Sequence, residues 1–398
     1  MKRRVGFLTT HPIQYQVPVF RRLAQREDWD FTVFYCQIPD AAMQGDGFGV
    51  AFQWDIPLLE GYEHRVLNNV SRRPSLTEFG GCDTPGIATI LRKERFDALI
   101  VNGWVVKSCL QALWACQRTG TPCIVRGEAN NLRRRAWWKR WLQRQLVRRY
   151  SAYLYIGEAN RRFYKEHGVA DSALFPARYC IENERFSRGA TAELRQATRT
   201  QWELPESGTV FLYSGKLIEK KHPCELIRAF LAARLPETAR LVVVGDGPLR
   251  SECESLAAGS NRIRFAGFLN QSEITAAYAA ADVLVLPSDA GETWGLVVNE
   301  AMACGLPAVV SSLVGCAEDL VTPGVTGEVF PFGEWDSLSL AMETMAGRTQ
   351  DEVERQRRAA RERVAPYSPL AAAEGMVAAV DHVCTRRERR KAVGSWRK

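Results

Sequence analysis

Short apolar runs of β-branched and aromatic residues, separated by stretches of helical patterning, recur along most of this chain and leave few folds open. VGFLT (5–9), FTVFYC (31–36), FDALIV (96–101), PCIVR (122–126) and AYLYI (152–156) form one series. TVFLYS (209–214), ARLVVVG (239–245), IRFAG (263–267), DVLVLP (282–287) and PAVVSS (307–312) form a second. Runs without polar alternation suit strands buried on both faces, as in a parallel sheet covered by helices. Two series therefore predict two doubly wound α/β domains, each taking ligands at the carboxyl ends of its strands. At 398 residues the chain is too long for one core and suits two.

The polar stretch 186–208 reads as a linker with a short helix, which places a first domain at 1–185 and a second at 186–370. Residues 371–398 begin as a helix with no strand after it, expected to return to the first domain, and end in a basic tail, RRERRKAVGSWRK, expected to be disordered. The formal charge of +8 is local. Residues 133–149 carry eight net positive charges and the tail six, so the remainder is net negative. The start, MKRRVGFLTTHPIQYQ, has too short an apolar run for a secretory leader, and no segment reaches the roughly 18 to 20 apolar residues of a membrane span. The expected location is cytoplasmic. Eleven cysteines without a C-x-x-C pair fit reduced, buried thiols better than a disulfide framework or a zinc site.

The densest chemistry lies in SDAGETWGLVVNEAMACGLPAVVSSLVGCAEDLV, residues 288–321. Gly291 and Gly295 surround Glu292 after a predicted strand, and a helix begins near Leu296. The start of such a helix, with its unsatisfied N–H groups, suits a phosphate. Glu292 and Glu300 beside it are either a loop acid and a helix-surface acid or a pair that reads hydroxyl groups, since carboxylates would otherwise repel the phosphate; a sugar nucleotide offers both ribose and hexose hydroxyls.

GETWGLVVNEAMACGLPAVVSS resembles the donor-site signature of retaining family 4 glycosyltransferases. FLYSGKLIEKKHPCELIRAF (211–230), VVVGDGPLR (242–250), IRFAGFLN (263–270) and VTPGVTGEVFP (321–331) resemble further blocks of that family in the same order, and HPIQYQVPVFRRL resembles the opening of a subset of it. The resemblance implies the fold class α/β, GT-B, with two doubly wound Rossmann-like domains facing a central cleft. It implies that Lys216 and Lys221, after Gly215, bind the donor diphosphate and act with Glu292 in catalysis. Two fixed cations would stabilise the charge growing on a departing nucleoside diphosphate. Lys216 replaces the family's commoner arginine, losing bidentate contact, and His222 replaces a usual glycine. Glu300 is implied to hold the ribose hydroxyls and Glu292 the transferred sugar. Backbone N–H groups of Trp294, Gly295 and Leu296 fall near the distal phosphate, and Phe268 and Leu269 lie in the base-contacting loop. The Trp294 ring either shapes the sugar pocket or packs.

No cofactor and no metal are required on this reading, the co-substrate being a UDP- or GDP-linked sugar. The single Asp-x-Asp, at 28–30, reads as a solvated turn. On the acceptor side, His11 and Gln14 follow the first strand, and Arg126 and Glu128 end another. They are acceptor or phosphate contacts, or else a cap and an ion pair. A dedicated general base is not expected, because in retention the leaving phosphate itself can take the acceptor proton.

RRRAWWKRWLQRQLVRRY (133–150) predicts a basic amphipathic helix, with Trp137, Trp138 and Trp141 among Arg140 and Arg144. An anionic membrane surface suits it and would present a lipid-linked acceptor. A solvated domain face remains open, and nucleic acid is disfavoured. The function expected is transfer of a hexosyl unit from a nucleotide sugar to a saccharide or lipid-linked acceptor, in cell-envelope polysaccharide or glycoconjugate synthesis. The alternatives are a nucleotide-sugar epimerase or hydrolase of the same fold, or a non-catalytic membrane or nucleic-acid adaptor.

Overall fold

The computed structural model describes residues 2–133 and 135–395. The first sheet contains β1 (Arg3–Thr9), β2 (Trp29–Tyr35), β3 (Glu63–Val66), β4 (Ala98–Asn102), β5 (Cys123–Arg126), β6 (Ala152–Tyr155) and β7 (Leu174–Pro176). Its order is β3-β2-β1-β4-β5-β6-β7, and every pair is parallel. The second contains β8 (Val210–Ser214), β9 (Arg240–Val244), β10 (Ile263–Gly267), β11 (Val283–Leu286), β12 (Ala308–Ser311) and β13 (Gly327–Phe330), ordered β10-β9-β8-β11-β12-β13 and also parallel throughout. In both sheets the strand order reverses at one place, between β1 and β4 and between β8 and β11, which is where an open α/β sheet leaves a crevice for ligand.

Of the ten runs read from sequence, nine are interior strands of the two sheets and one, IRFAG, is the edge strand β10. Those missed lie at edges. β3 is EHRV, largely exposed, and β7 is three residues long, while β13 carries Glu328 within GEVF. An edge strand covered on few sides needs no unbroken apolar run, so periodicity does not reveal it.

The chain groups into two units, one of residues up to 39, 57–179 and 369 onward, the other of 40–56 and 180–368. Segment 40–56, read within the first domain, thus groups with the second. In the first unit Phe34, Leu99, Val101, Leu113, Val125 and Phe163 pack between sheet and helices. In the second, Phe211, Tyr213, Phe230, Val243, Val285 and Phe330 do the same.

The supposed linker is two helices, Asn183–Gly189 and Ala192–Gln201. Its apolar poverty misled because ion pairs hold the second helix down: Arg195 and Arg199 meet Asp282 at 2.6 and 2.7 Å. The C-terminal helix, Pro369–Ser395, packs on helix Val17–Ala24 and on β6 and β7. It approaches so closely that a Cβ on Gly375 would sit 1.6 Å from the Pro176 carbonyl oxygen. The tail expected to be disordered continues this helix to Ser395, and residues 396–398 lie outside the described residues. The basic helix is shorter than expected, Trp137–Val147, and residue 134 lies outside the described residues. All eleven cysteines are buried free thiols.

Candidate functional site

In the second unit the carboxyl ends of β8 and β11 adjoin, and the loops that leave them carry most of the residues singled out above. β8 ends in Ser214, after which Gly215 takes a φ of 153°. A Cβ is excluded on the neighbouring Gly245 as well, where it would fall 1.9 Å from the Gly215 carbonyl oxygen. Leu217 N donates to Asp246 O, and the Tyr213 hydroxyl donates to Lys216 O at 2.8 Å. The loop bearing Lys216 is therefore fixed by backbone bonds to its neighbour. Burial lowers the Lys216 ammonium pKa, in a setting shared with Lys220 and Lys221.

The β11 loop is held in the same way: Asp289 N donates to Lys220 O, Gly315 N to Glu292 O, and Cys316 N to Trp294 O. This braiding brings Lys221 Nζ within 2.5 Å of Glu292 Oε2, the side chains being only 12% and 15% exposed. Burial pushes the Glu292 carboxyl pKa up, but the Lys221 charge and hydrogen bond, helped by Lys220 and Ser288, prevail and leave it lowered. A buried carboxylate fixed against an ammonium is a compact dipole suited to grip a group with hydroxyls and an anionic neighbour.

Gly295, at a φ of 102°, caps the helix Leu296–Ala303. In its first turn Val298 N donates back to Gly295 O, while the N–H groups of Leu296 and Val297 precede any i−4 acceptor within the helix. Glu300 lies in this helix, 2% exposed, and accepts a 2.5 Å hydrogen bond from the Tyr278 hydroxyl. The Trp294 ring turns inward: its Nε1 donates to Asn299 Oδ1 at 2.8 Å, and it packs against Tyr367 with centroids 5.8 Å apart. Trp294 is 3% exposed. Phe268 and Leu269 follow β10, half-buried, and Phe268 packs against Phe52 with centroids 4.3 Å apart and the rings tilted by 37°. His222, at a φ of 51°, contacts Phe332 and Trp335 and lies 3.4 Å from Glu225.

In the first unit a polar chain crosses the carboxyl ends of β1, β4 and β5. Asn102 Nδ2 donates to Thr9 Oγ1, and Arg126 donates to Asn102 Oδ1, both at 3.4 Å. Arg126 is 4% exposed, and its guanidinium lies over the Tyr179 ring at 4.7 Å, while the Tyr179 hydroxyl donates to Glu128 at 2.7 Å. Tyr179 thus links the two residues read as an acceptor pair. His11 follows β1 and shares a 2.9 Å hydrogen bond between Nδ1 and Thr10 Oγ1. Burial lowers its pKa to about 4, so the ring is neutral at pH 7. Gln14 lies in the turn before helix Val17–Ala24.

Asn102, Tyr179 and Tyr278 escaped the sequence reading. Asn102, a polar residue closing a buried strand, carried a usable signal; the tyrosines come from distant segments and carried none. In the Asp-x-Asp stretch, Asp28 pairs with Arg26 at 2.7 Å and Asp30 with Arg4 at 2.9 Å, so both carboxylates have cationic partners. On the basic helix only Val147 is buried; Trp137, Trp138 and Trp141 are 80%, 48% and 57% exposed, beside exposed Arg140 and Arg144.

Two doubly wound units with parallel sheets of seven and six strands define the α/β architecture of the GT-B fold. Residues 14–176 match the family described as Glycosyl transferase 4-like domain, and residues 195–363 match Glycosyl transferases group 1. The chain belongs to the family 4 glycosyltransferases. A GDP-mannose-dependent alpha-mannosyltransferase of Mycobacterium tuberculosis is 33% identical over 185 residues, 43% of this chain and 46% of the relative. The Arabidopsis thaliana sulfoquinovosyl transferase SQD2 is 39% identical over 124 residues, 30% of this chain and 23% of the relative. The matched stretches thus span less than half the length of these relatives. In fold, Anabaena HepE, solved in complex with UDP, superposes with a TM-score of 0.75 at 19% identity, covering 96% of this chain and all of that one.

Proposed function

We propose that this protein is a retaining glycosyltransferase that moves a hexosyl unit from a UDP- or GDP-linked sugar to a saccharide or lipid-linked acceptor in cell-envelope glycoconjugate synthesis. The observation that carries the reading is the Lys221–Glu292 pair beside Lys216 at the β8/β11 reversal. Lys216, Lys221 and the N-terminus of helix Leu296–Ala303, with the N–H groups of Gly295 and Leu296, stabilise charge growing on the leaving diphosphate. Glu292 holds the transferred sugar, and Glu300 reads the ribose while Phe268 and Leu269 flank the base. The acceptor hydroxyl attacks from the face the diphosphate leaves, which passes its proton to the departing phosphate. The mechanism assigns no step to a metal. GDP-mannose dependence of the mycobacterial relative and the UDP complex of HepE support a nucleotide-sugar donor of either base. An epimerase, hydrolase or adaptor leaves the acceptor-side chain Asn102–Arg126–Tyr179–Glu128 without a role.

No helix among the described residues is long and apolar enough to cross a membrane. The exposed tryptophans and arginines of helix Trp137–Val147 suit peripheral attachment to an anionic bilayer at its cytoplasmic face.

A thermal-shift screen of UDP-, GDP-, ADP- and TDP-sugars tests the reading. At a hundredfold excess over Kd a donor adds about 2.7 kcal/mol to the folded state. One nucleotide should raise the Tm of the wild type and leave Lys216→Ala and Glu300→Gln unmoved. A failure of all four donors would remove the transferase reading.

A further inference from the structure

Between Pro39 and Pro57 the chain leaves the first unit and lies on the second, and what it covers there is specific. Lys216 Nζ donates to the Asp46 carbonyl and sits 4.6 Å from the centre of the Phe48 ring. Phe48 and Phe52 pack on Phe268 with centroids 5.2 and 4.3 Å apart, and Trp54 stands edge-on to Phe52 at 4.9 Å. Asn270 Nδ2 donates to Gln53 O at 2.8 Å, and Ser272 donates through its backbone N–H and hydroxyl to Asp55. Resting on the donor-site reading above, we propose that residues 40–56 form a strap that occupies the nucleoside diphosphate site of this protein and is displaced when the donor binds.

Two contacts of the strap, at Lys216 and at Phe268, imitate ones a nucleotide would make. The Asp46 carbonyl and the Phe48 ring supply Lys216 with an acceptor oxygen and a face of negative potential, as a phosphate would. Phe52 lies against Phe268 with an interplanar angle of 37°, a flat apolar partner where a base is expected. Strap and nucleotide compete for the same two side chains, Lys216, which Asp46 and Phe48 cover, and Phe268, whose face Phe52 takes.

The strap is also built to detach. Its only regular element is the four-residue helix Ala41–Gln44, and of its residues only Gly45 is buried. Gly47 and Gly49 take φ values of 76° and 73°, and Val50, Ala51, Gln53 and Asp55 are exposed. Segments with so little buried surface open at small cost while the sheet beneath stays closed.

The donor competes with the strap, and weakening the strap must tighten donor binding by the factor by which the closed state taxed it. Titration of UDP and of GDP by calorimetry on the whole protein provides the test, on the wild type and on Phe48→Ala/Phe52→Ala. We expect the better nucleotide to bind about tenfold tighter to the variant, and hydrogen exchange in residues 40–56 of the wild type to rise when it is added. Unchanged or weaker binding in the variant, or protection of 40–56 by the nucleotide, would overturn the strap and make Phe48 and Phe52 part of the base pocket. Lys216→Ala and Glu300→Gln separate this from the underlying reading. If they abolish binding while the aromatic variant is neutral, the donor site stands and the strap falls; if no nucleotide binds any form, both fall.

Discussion

Lys221 Nζ lies 2.5 Å from Glu292 Oε2 in a setting where both side chains are largely withdrawn from water. Removing one partner leaves the other charge buried and unpaired, which costs about 3 kcal/mol, the low end for such pairs because neither side chain is wholly enclosed. Glu292→Gln should therefore lower the urea midpoint at an unchanged slope, and Lys221→Met/Glu292→Leu should recover much of that loss while remaining inactive. Because the folded carboxyl pKa is lowered, the pair's contribution is present above the unfolded glutamate value and is lost as pH falls through the folded one. A double variant as unstable as the single one would show that the cost lies in packing.

Glu300 is oriented by Tyr278, whose hydroxyl donates to it from inside the core. A hydrogen bond to a charged group contributes about 1.5–3 kcal/mol. Tyr278→Phe should lower stability within that range and, on the proposal that Glu300 reads the ribose, raise the KM for the donor several-fold while kcat changes little. A fall in kcat with KM unchanged would place Glu300 in the chemical step.

His11 gives the first unit a pH dependence of its own. Its folded pKa of about 4 is below the unfolded value because burial disfavours the charged ring. The unfolded chain takes the proton first, so stability is whole above about pH 6.5 and declines as pH falls toward 4, by up to about 3 kcal/mol. Denaturant melts between pH 7 and 4 should show this slope, and His11→Gln should flatten it. An imidazole that titrates by NMR near pH 6.5 would refute the burial argument.

The basic helix predicts salt-sensitive vesicle binding. Flotation with anionic vesicles should retain the wild type at low salt, each cation near the surface adding roughly 1 kcal/mol. Arg140→Glu/Arg144→Glu should abolish it, and Trp137→Ser/Trp141→Ser should weaken it while the melting temperature stays constant, since neither tryptophan is buried. Equal binding to neutral vesicles would point to insertion of the tryptophans alone.

Much of this protein was legible along the chain. The central strands were readable because a strand covered on both faces must be continuously apolar; Glu292 and Glu300 stood out beside a Gly-rich turn before a helix, and Lys216 and Lys221 through the family resemblance of the loop that holds them. What sequence could not supply was partnership. That Lys221 neutralises Glu292, that Tyr278 orients Glu300, and that Arg195 and Arg199 converge on Asp282 depend on residues tens of positions apart. Ion pairs across such distances leave no periodic trace, so a charged helix there read as a linker. The segment 40–56 shows the same limit most plainly: its glycines and aromatics look like an ordinary loop, and only the tertiary fold carries Phe48 and Phe52 onto Lys216 and Phe268. Burial patterns are written locally by the hydrophobic effect, whereas the choice of which buried or half-buried groups meet is made by the packing of the whole chain.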